Sequence, residues 1–376
     1  VCEFGNLKLA LLDDLKFQSQ PFDGKTFILI EDPLVGTYYR VGAAEYEFLS
    51  LLDGRMAVAE VLSHLANSAS SEALTAHEAA GFCRWLIETD LASTPESSDP
   101  LRRSAAAKKS QNGKFWQNWN PLAMRWSPIN PDPLFTAIAP YLQWFFTRWA
   151  FAGWALVVLL ALYHTAAEWP RVVASSSAVV VLDNAWWLTA CWIVLKCLHE
   201  LAHGIVCKKY GCSVRGAGII LVLLAPIAYV DVTGSWRCRS KWERMHIAVA
   251  GIYLELFIAA AALLTWSHTG PGVIRHVSLN VAILASATTV LFNANPLMRF
   301  DGYYVLSDWL EIPNLYSRGQ QWLTTCARRY LLGMNATCPP MESRQDILIR
   351  VYGLASFTWR IVVCAGLIMV AATLFH

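Results

Sequence analysis

Trp186-Trp-Leu-Thr-Ala-Cys-Trp-Ile-Val-Leu-Lys-Cys-Leu-His199-Glu200-Leu-Ala-His203-Gly-Ile-Val206 is apolar over enough length to cross a bilayer, yet it carries the spacing H-E-x-x-H. A membrane helix needs about 20 such residues. Residues four apart share one face of a helix, so His199 and His203 can direct their imidazoles at one metal ion, with Glu200 beside them as a proton acceptor. Soluble zinc hydrolases use this spacing in water. Here the neighbours are Trp192, Ile193, Val194, Leu195 and Leu198. The expectation is a Zn2+ site at lipid depth, for which the rest of the chain must supply a further ligand and a route for water.

Composition agrees with a membrane class. Of the 376 residues, 55% are hydrophobic and 15% charged, against about 25% charged in ordinary soluble domains. The charge is unevenly divided. Residues 1–97 hold 15 Asp and Glu against six Lys and Arg, a net of −9; the whole chain is +2, so the remainder is +11. An acidic head precedes a basic, apolar body. Val1 to Ala10 lacks the basic flank, apolar core and small-residue cleavage site of a secretory signal, so the head is expected in the cytosol. The ten cysteines are scattered without a C-x-x-C pair and are expected to be reduced thiols. Cys207, Cys212 and Cys238 are weighed as a second metal site near the membrane surface.

In the head, Lys25 to Ile30 and Thr37 to Val41 are strand-like around the turn residues of Glu31 to Gly36, which predicts a hairpin. Ala43 to Leu52, Ala57 to Ala66 and Glu72 to Leu91 have helical spacing, with Asp53-Gly54 as a turn between the first two. Strands followed by three short helices predict a small α+β, winged-helix-like domain. A winged helix that binds DNA needs basic residues against phosphate, and a net of −9 argues for no nucleic-acid partner.

Ala92 to Asn120 is rich in Ser, Ala, Asn, Lys and Arg and reads as linker. The expected division is a head at 1–97, a basic linker at 98–133 and a membrane-embedded domain at 134–376. Leu134 to Trp144 suits an interfacial helix. Five spans are expected, near Trp149–His164, Trp186–Val206, Met245–Trp266, Val273–Phe292 and Phe357–Phe375. Ile219 to Val230, apolar but short and interrupted by Pro226, reads as a re-entrant or membrane-surface strand segment. The fold class is therefore mainly α: a polytopic helical membrane protein with a small α+β head. Basic residues cluster before the first span, between the second and third, and between the fourth and fifth, which assigns those regions to the cytoplasmic side of the lipid bilayer. His199 and His203 then lie toward the cytoplasmic end of the second span, at the depth of Asn295 to Asp301.

A catalytic zinc takes three protein ligands and keeps a position open for water. Asp301 is the best third ligand, because Pro296 ends the fourth span and Asp301-Gly302 turns the chain back. His246 and Glu255 on the third span are rivals. Lys196 is expected to pair with Glu200 or with Glu255, Asp231 to act in a turn, and Arg360 to reach for the interface. Histidines on an apolar helix also occur as hydrogen-bonded core residues or haem ligands. Ionisable groups at membrane depth are functional by default.

Two resemblances extend this reading. His199-Glu-Leu-Ala-His-Gly204, together with Asn293, Pro296, Asp301 and Gly302 in the pattern N-x-x-P-x-x-x-x-D-G, resembles the site-2 protease family of intramembrane zinc metalloproteases over roughly residues 147–310. Arg299-Phe300 stands where many members have Pro-Leu. The resemblance implies that His199, His203 and Asp301 bind zinc, that Glu200 is the general base, and that Asn293 positions the substrate or stabilises the oxyanion. Ala228-Tyr-Val-Asp-Val-Thr-Gly-Ser-Trp236 and Ser307-Asp-Trp-Leu-Glu-Ile-Pro-Asn314 look like the bacterial subgroup of peptide zinc metalloproteases, which implies a multi-pass protein of the bacterial inner (cytoplasmic) membrane with its N-terminal domain cytoplasmic. Tyr39-Arg40-Val41, Glu47-Phe-Leu-Ser-Leu-Leu-Asp-Gly54 and Val58-Ala-Glu-Val-Leu62 resemble the PqqD-like domains, which implies leader-peptide binding by residues 1–97 through strand addition to a sheet edge.

The leading expectation is a zinc metalloendopeptidase that hydrolyses a peptide bond in a peptide or membrane-anchored substrate presented by the head. The alternative is a non-catalytic peptide-binding membrane component of a maturation or export system with a structural metal, and a metal-gated transporter or sensor ranks third. A peptide exporter is the expected further partner of the first two.

Overall fold

The computed structural model describes residues 5–22, 25–33, 35, 37–67, 74–94, 123–176, 184–222, 225–330, 332–334 and 344–374. The chain divides into two compact units, 1–126 with 222–224, and 127–221 with 225–376.

The first unit contains β1 (Lys8–Leu11), β2 (Lys16–Phe22), β3 (Lys25–Asp32), β4 (Thr37–Val41), α1 (Ala43–Ser50), β5 (Asp53–Ala57), α2 (Val58–Asn67), α3 (Ala76–Glu88) and β6 (Ala92–Ser93). The expected hairpin is present: β3 pairs antiparallel with β4, Ile30 facing Tyr39, and with β2 on its other side, Ile30 facing Phe17. A second sheet has the order β5-β1-β6. Asp53-Gly54 differs from its expected role, because it opens a strand rather than linking two helices. Gly54 has φ +78°, and a Cβ there would lie 2.9 Å from the Cβ of Ala10, so glycine lets β5 close on β1.

Three helices bury one face each over these sheets. Phe48 and Leu49 come from α1, while Val58, Val61 and Leu65 of α2 and Ala79, Cys83 and Leu86 of α3 follow the three- and four-residue spacing of a helical stripe. Thr75 and Glu78 form a reciprocal capping box at the start of α3, which satisfies backbone N–H groups the helix leaves unpaired. Tyr39 of β4 meets Trp85 of α3 edge to face at 5.3 Å, and Phe82 stacks on Trp85.

The expected linker lies outside the described residues over 98–122; beyond it the chain forms β7 (Ala123–Ile129) and enters α4 (Asp132–Leu142). There follow a 3-10 turn at Gln143–Phe146, α5 (Arg148–Ala167), α6 (Trp169–Ser176), α7 (Ala185–Lys209), β8 (Ala217–Val222), β9 (Ala225–Val230), α8 (Lys241–His268) and α9 (Val273–Thr288). A π-helical turn at Thr289–Asn293 ends α9, and α10 (Asp301–Leu310), α11 (Leu315–Tyr330) and α12 (Arg344–Leu374) complete the chain. Among the described residues five helices are long and apolar enough to cross a membrane: Arg148–Ala167, Ala185–Lys209, Lys241–His268, Val273–Asn293 and Gln345–Met369. On α5, Leu156, Leu159, Leu162 and Tyr163 all point outward, an arrangement that suits an apolar surrounding.

The fifth helix starts at Arg344, well before the expected Phe357, because Gln345, Asp346 and Arg350 dilute the apolar signal of its first turns. Those turns pack on α11. A Cβ on Gly319 would lie 3.0 Å from the Cα of Gly353, so small residues let the two backbones touch. Arg360 does not reach outward as expected. It donates to Gln320 of α11 at 2.5 Å and lies over the Tyr316 ring.

The C-terminal half of α7 is the most enclosed stretch of the second unit, with His199, Ala202, His203, Gly204, Ile205, Val206 and Cys207 all buried. α4 lies across it at Gly204, where a Cβ would come within 2.2 Å of the Phe135 ring. Asp132, in the first turn of α4, accepts from Lys208 at 2.6 Å and from the Val214 N–H at 2.7 Å, which ties the helix to the chain leaving α7. The Ile219 to Val230 segment, expected as re-entrant or as a membrane-surface strand, contributes two neighbouring strands, β8 and β9, to a sheet of order β7-β8-β9. Cys212 and Cys238, on either side of this pair, bring their sulfurs to 3.1 Å.

Candidate metal centre

Helix geometry alone places His199 and His203 one above the other on α7, four residues apart. The structure brings Asp301 to them from the first turn of α10. Asp301 Oδ2 lies 2.9 Å from His199 Nε2 and 3.4 Å from His203 Nε2, and the two Nε2 atoms are 3.1 Å apart. These three residues form the one group among the described residues whose His, Cys, Asp or Glu atoms are spaced to hold a metal ion. Cys207, Cys212 and Cys238 do not form such a group.

Asp301 reaches the site through a sharp return of the chain. Pro296 follows the π-helical turn, and Gly302 passes so near Ala294 that a Cβ would fall 2.4 Å from its carbonyl oxygen. Any larger residue at 302 would push Asp301 away from the histidines.

The donor set fits a tetrahedral divalent metal. His203 Nδ1 is 2.7 Å from the Ile247 carbonyl oxygen. A carbonyl only accepts, so Nδ1 carries a proton, and in the neutral ring Nε2 then presents a lone pair toward Asp301. Asp301 Oδ2 is itself buried without a hydrogen-bond donor. Lone pairs facing one another in an apolar core repel unless a cation lies between them. Zinc bonds of about 2.0 to 2.2 Å at tetrahedral angles put neighbouring ligand atoms about 3.3 Å apart, close to the three separations observed. Charge points the same way. With carboxyls ionised, Glu200, Glu255 and Asp301 contribute −3 and Lys196 +1, leaving −2 for a divalent ion to balance.

Glu200 follows His199 on the same helix turn. Its Oε2 accepts the backbone N–H of Val230 at 2.7 Å, so the last residue of β9 holds the carboxylate beside the ligands. The next residue donates the other way, from the Asp231 N–H to the Gly216 carbonyl at 2.7 Å. Because N–H groups alternate along a strand, the outer edge of β9 therefore faces Glu200.

The rivals for third ligand are placed elsewhere. His246 Nδ1 bonds the Tyr210 hydroxyl at 2.7 Å and its ring packs on Phe146. Glu255 lies behind His199, 3.4 Å from Nδ1, on the side away from Asp301. Lys196 pairs with Glu255 at 2.8 Å, not with Glu200. Asn293 donates to Glu255 at 2.9 Å. Asp231 accepts from the Thr233 N–H at 3.0 Å, the turn role expected of it.

Two contributors have no sequence signal of their own. Val230 acts through its main chain. Gly251 of α8 lies under His199, where a Cβ would come within 2.4 Å of the ring; a glycine in an apolar span is the sole hint of such a close approach.

No family model and no solved structure matches the chain. It is similar to an uncharacterized protein of Methanocaldococcus jannaschii, 39% identical over 77 residues. That match spans 20% of this chain and 21% of the relative.

Proposed function

We propose that this chain is a membrane-embedded zinc endopeptidase that hydrolyses a peptide bond in a peptide or membrane-anchored substrate. The observation that carries the reading is the convergence of Asp301 Oδ2 on His199 Nε2 and His203 Nε2 beside the Glu200 carboxylate, with both histidines and Glu200 on a helix apolar enough to cross a membrane. Zinc held by those three residues would supply the Lewis acidity that makes water nucleophilic near neutral pH and polarises a carbonyl.

Glu200 accepts the proton of the attacking water and passes it to the leaving amine. The Val230 N–H holds one oxygen of Glu200, which leaves the other to exchange the proton. Substrate must arrive as extended backbone, since a helix hides its peptide groups. The outer edge of β9, with Ala228 one strand repeat before Val230, offers main-chain groups to pair with such a segment. The exposed apolar faces of the long helices support placement in a lipid bilayer, and the basic flanks support a cytoplasmic side for the metal centre and for the head. In the head, the β4 edge beside Trp85 of α3 suits a leader peptide, which fits a maturation system that includes a peptide exporter.

The non-catalytic alternative needs a closed metal site with a fourth protein ligand. Among the described residues the group has three, which favours catalysis. The test is chelator-reversible cleavage of a quenched-fluorescence peptide library by the purified chain in detergent, with metal content measured on the same sample. One equivalent of zinc and restorable cleavage are expected; a zinc-loaded chain that cuts nothing in the library favours the binding component.

A further inference from the structure

Glu255 has no exposed surface, yet it is not among the three converging ligand atoms. Four polar groups from two helices surround its carboxylate. Lys196 of α7 meets Oε1 at 2.8 Å. Oε2 receives the Thr289 hydroxyl at 2.5 Å and the Asn293 amide at 2.9 Å, both from the π-helical turn after α9, and faces His199 Nδ1 of α7 at 3.4 Å. A buried ion pair is a weak source of stability, because desolvation cancels most of the attraction. Its position behind a metal-site histidine gives a better reason for it.

An imidazole that presents Nε2 to a metal must carry its proton on Nδ1, and that proton needs an acceptor. His203 has the Ile247 carbonyl. For His199 the acceptor facing Nδ1 is Glu255 Oε2 at 3.4 Å; Asn293 Nδ2, also 3.4 Å from Nδ1, can only donate, and its nearer partner is Glu255 at 2.9 Å. We infer that Glu255 is the positioning residue of His199: it accepts the Nδ1 proton, fixes the ring and its tautomer, and is charge-balanced by Lys196. Thr289 and Asn293 brace the carboxylate, which makes Asn293 a support of the ligand rather than a group turned to substrate. The inference rests on the metal-site reading above.

The test compares zinc affinity, by chelator competition on the full chain in detergent, for wild type and two double variants. In Lys196→Met/Glu255→Leu charge stays balanced but no acceptor faces Nδ1, and zinc is expected to bind about 10- to 100-fold more weakly. In Lys196→Met/Glu255→Gln a neutral carbonyl acceptor returns, and affinity is expected to recover. Wild-type affinity in the leucine variant overturns the inference. The second readout needs no variant that must fold: 15N spectra of histidine-labelled, zinc-loaded wild type should show His199 protonated on Nδ1 and coordinated through Nε2. Coordination through Nδ1 overturns the inference. A wild type that binds no zinc at all removes the metal-site reading itself, a result distinct from either.

Discussion

Gly251 lies so close beneath the His199 imidazole that a methyl group on it would come within 2.4 Å of Cε1 and 2.5 Å of Nε2. The atoms met are the ring itself, so α8 and this histidine of the candidate metal centre share one volume. Gly251→Ala is expected to displace the ring and to lower zinc affinity at least tenfold, by the same logic that ties ligand orientation to affinity. Chelator competition on the purified variant checks this; an unchanged affinity would mean that the ring moves aside freely.

Gly204 has the same relation to Phe135, one turn further along α7. A methyl there meets an aromatic ring at 2.2 Å, and overpacking of this kind costs about 1 to 3 kcal/mol. Gly204→Ala is expected to lower the melting temperature in detergent. Gly204→Ala combined with Phe135→Leu, which clears the ring, should recover part of the loss.

Asp132 makes the join between α4 and the end of α7 sensitive to acid. Burial works to raise its carboxyl, but Lys208 and the Val214 N–H bring it below the ordinary range. A depressed folded value contributes stability that is complete above the unfolded carboxylate value of about 3.9 and is lost as pH falls through the folded value. Between about pH 5 and about pH 2 the wild-type melting temperature should therefore fall more steeply than that of Asp132→Asn. Parallel slopes would show that the contact contributes nothing.

The outer edge of β9 can be tested apart from the metal. Ala228→Pro removes the N–H one strand repeat from Val230 and cannot pair there. Cleavage of an extended peptide should drop sharply while bound zinc is unchanged. Full cleavage by this variant would exclude strand pairing at β9.

Much of the site was legible because its chemistry is local or carried by short spacings. His199 and His203 are related by one helical turn, and the break at Pro296 with Asp301-Gly302 signalled the chain's return. The five long apolar helices follow from hydropathy, as does the β3–β4 hairpin from its strand-like runs and turn residues. What stayed hidden depends on contacts between distant segments. Lys8–Leu11 and Lys16–Phe22 are too short or too polar to announce strands. Glu255 resembled a ligand rival until its distance to Nδ1 placed it behind His199. The start of α12 has no clear apolar signal because Asp346 and Arg350 sit on turns that pack against α11, and Val230 acts through an N–H that every non-proline residue carries.

Glu200→Gln separates metal binding from chemistry in one experiment. Glutamine keeps an oxygen for the Val230 N–H but cannot take a proton, and loss of a general base costs about 10²- to 10⁴-fold in rate. Metal content and peptide-library cleavage should be measured on the same preparation. One equivalent of zinc with cleavage reduced by at least a hundredfold is the expected result. Wild-type cleavage by a zinc-loaded Glu200→Gln chain would contradict the assignment of Glu200 as the base.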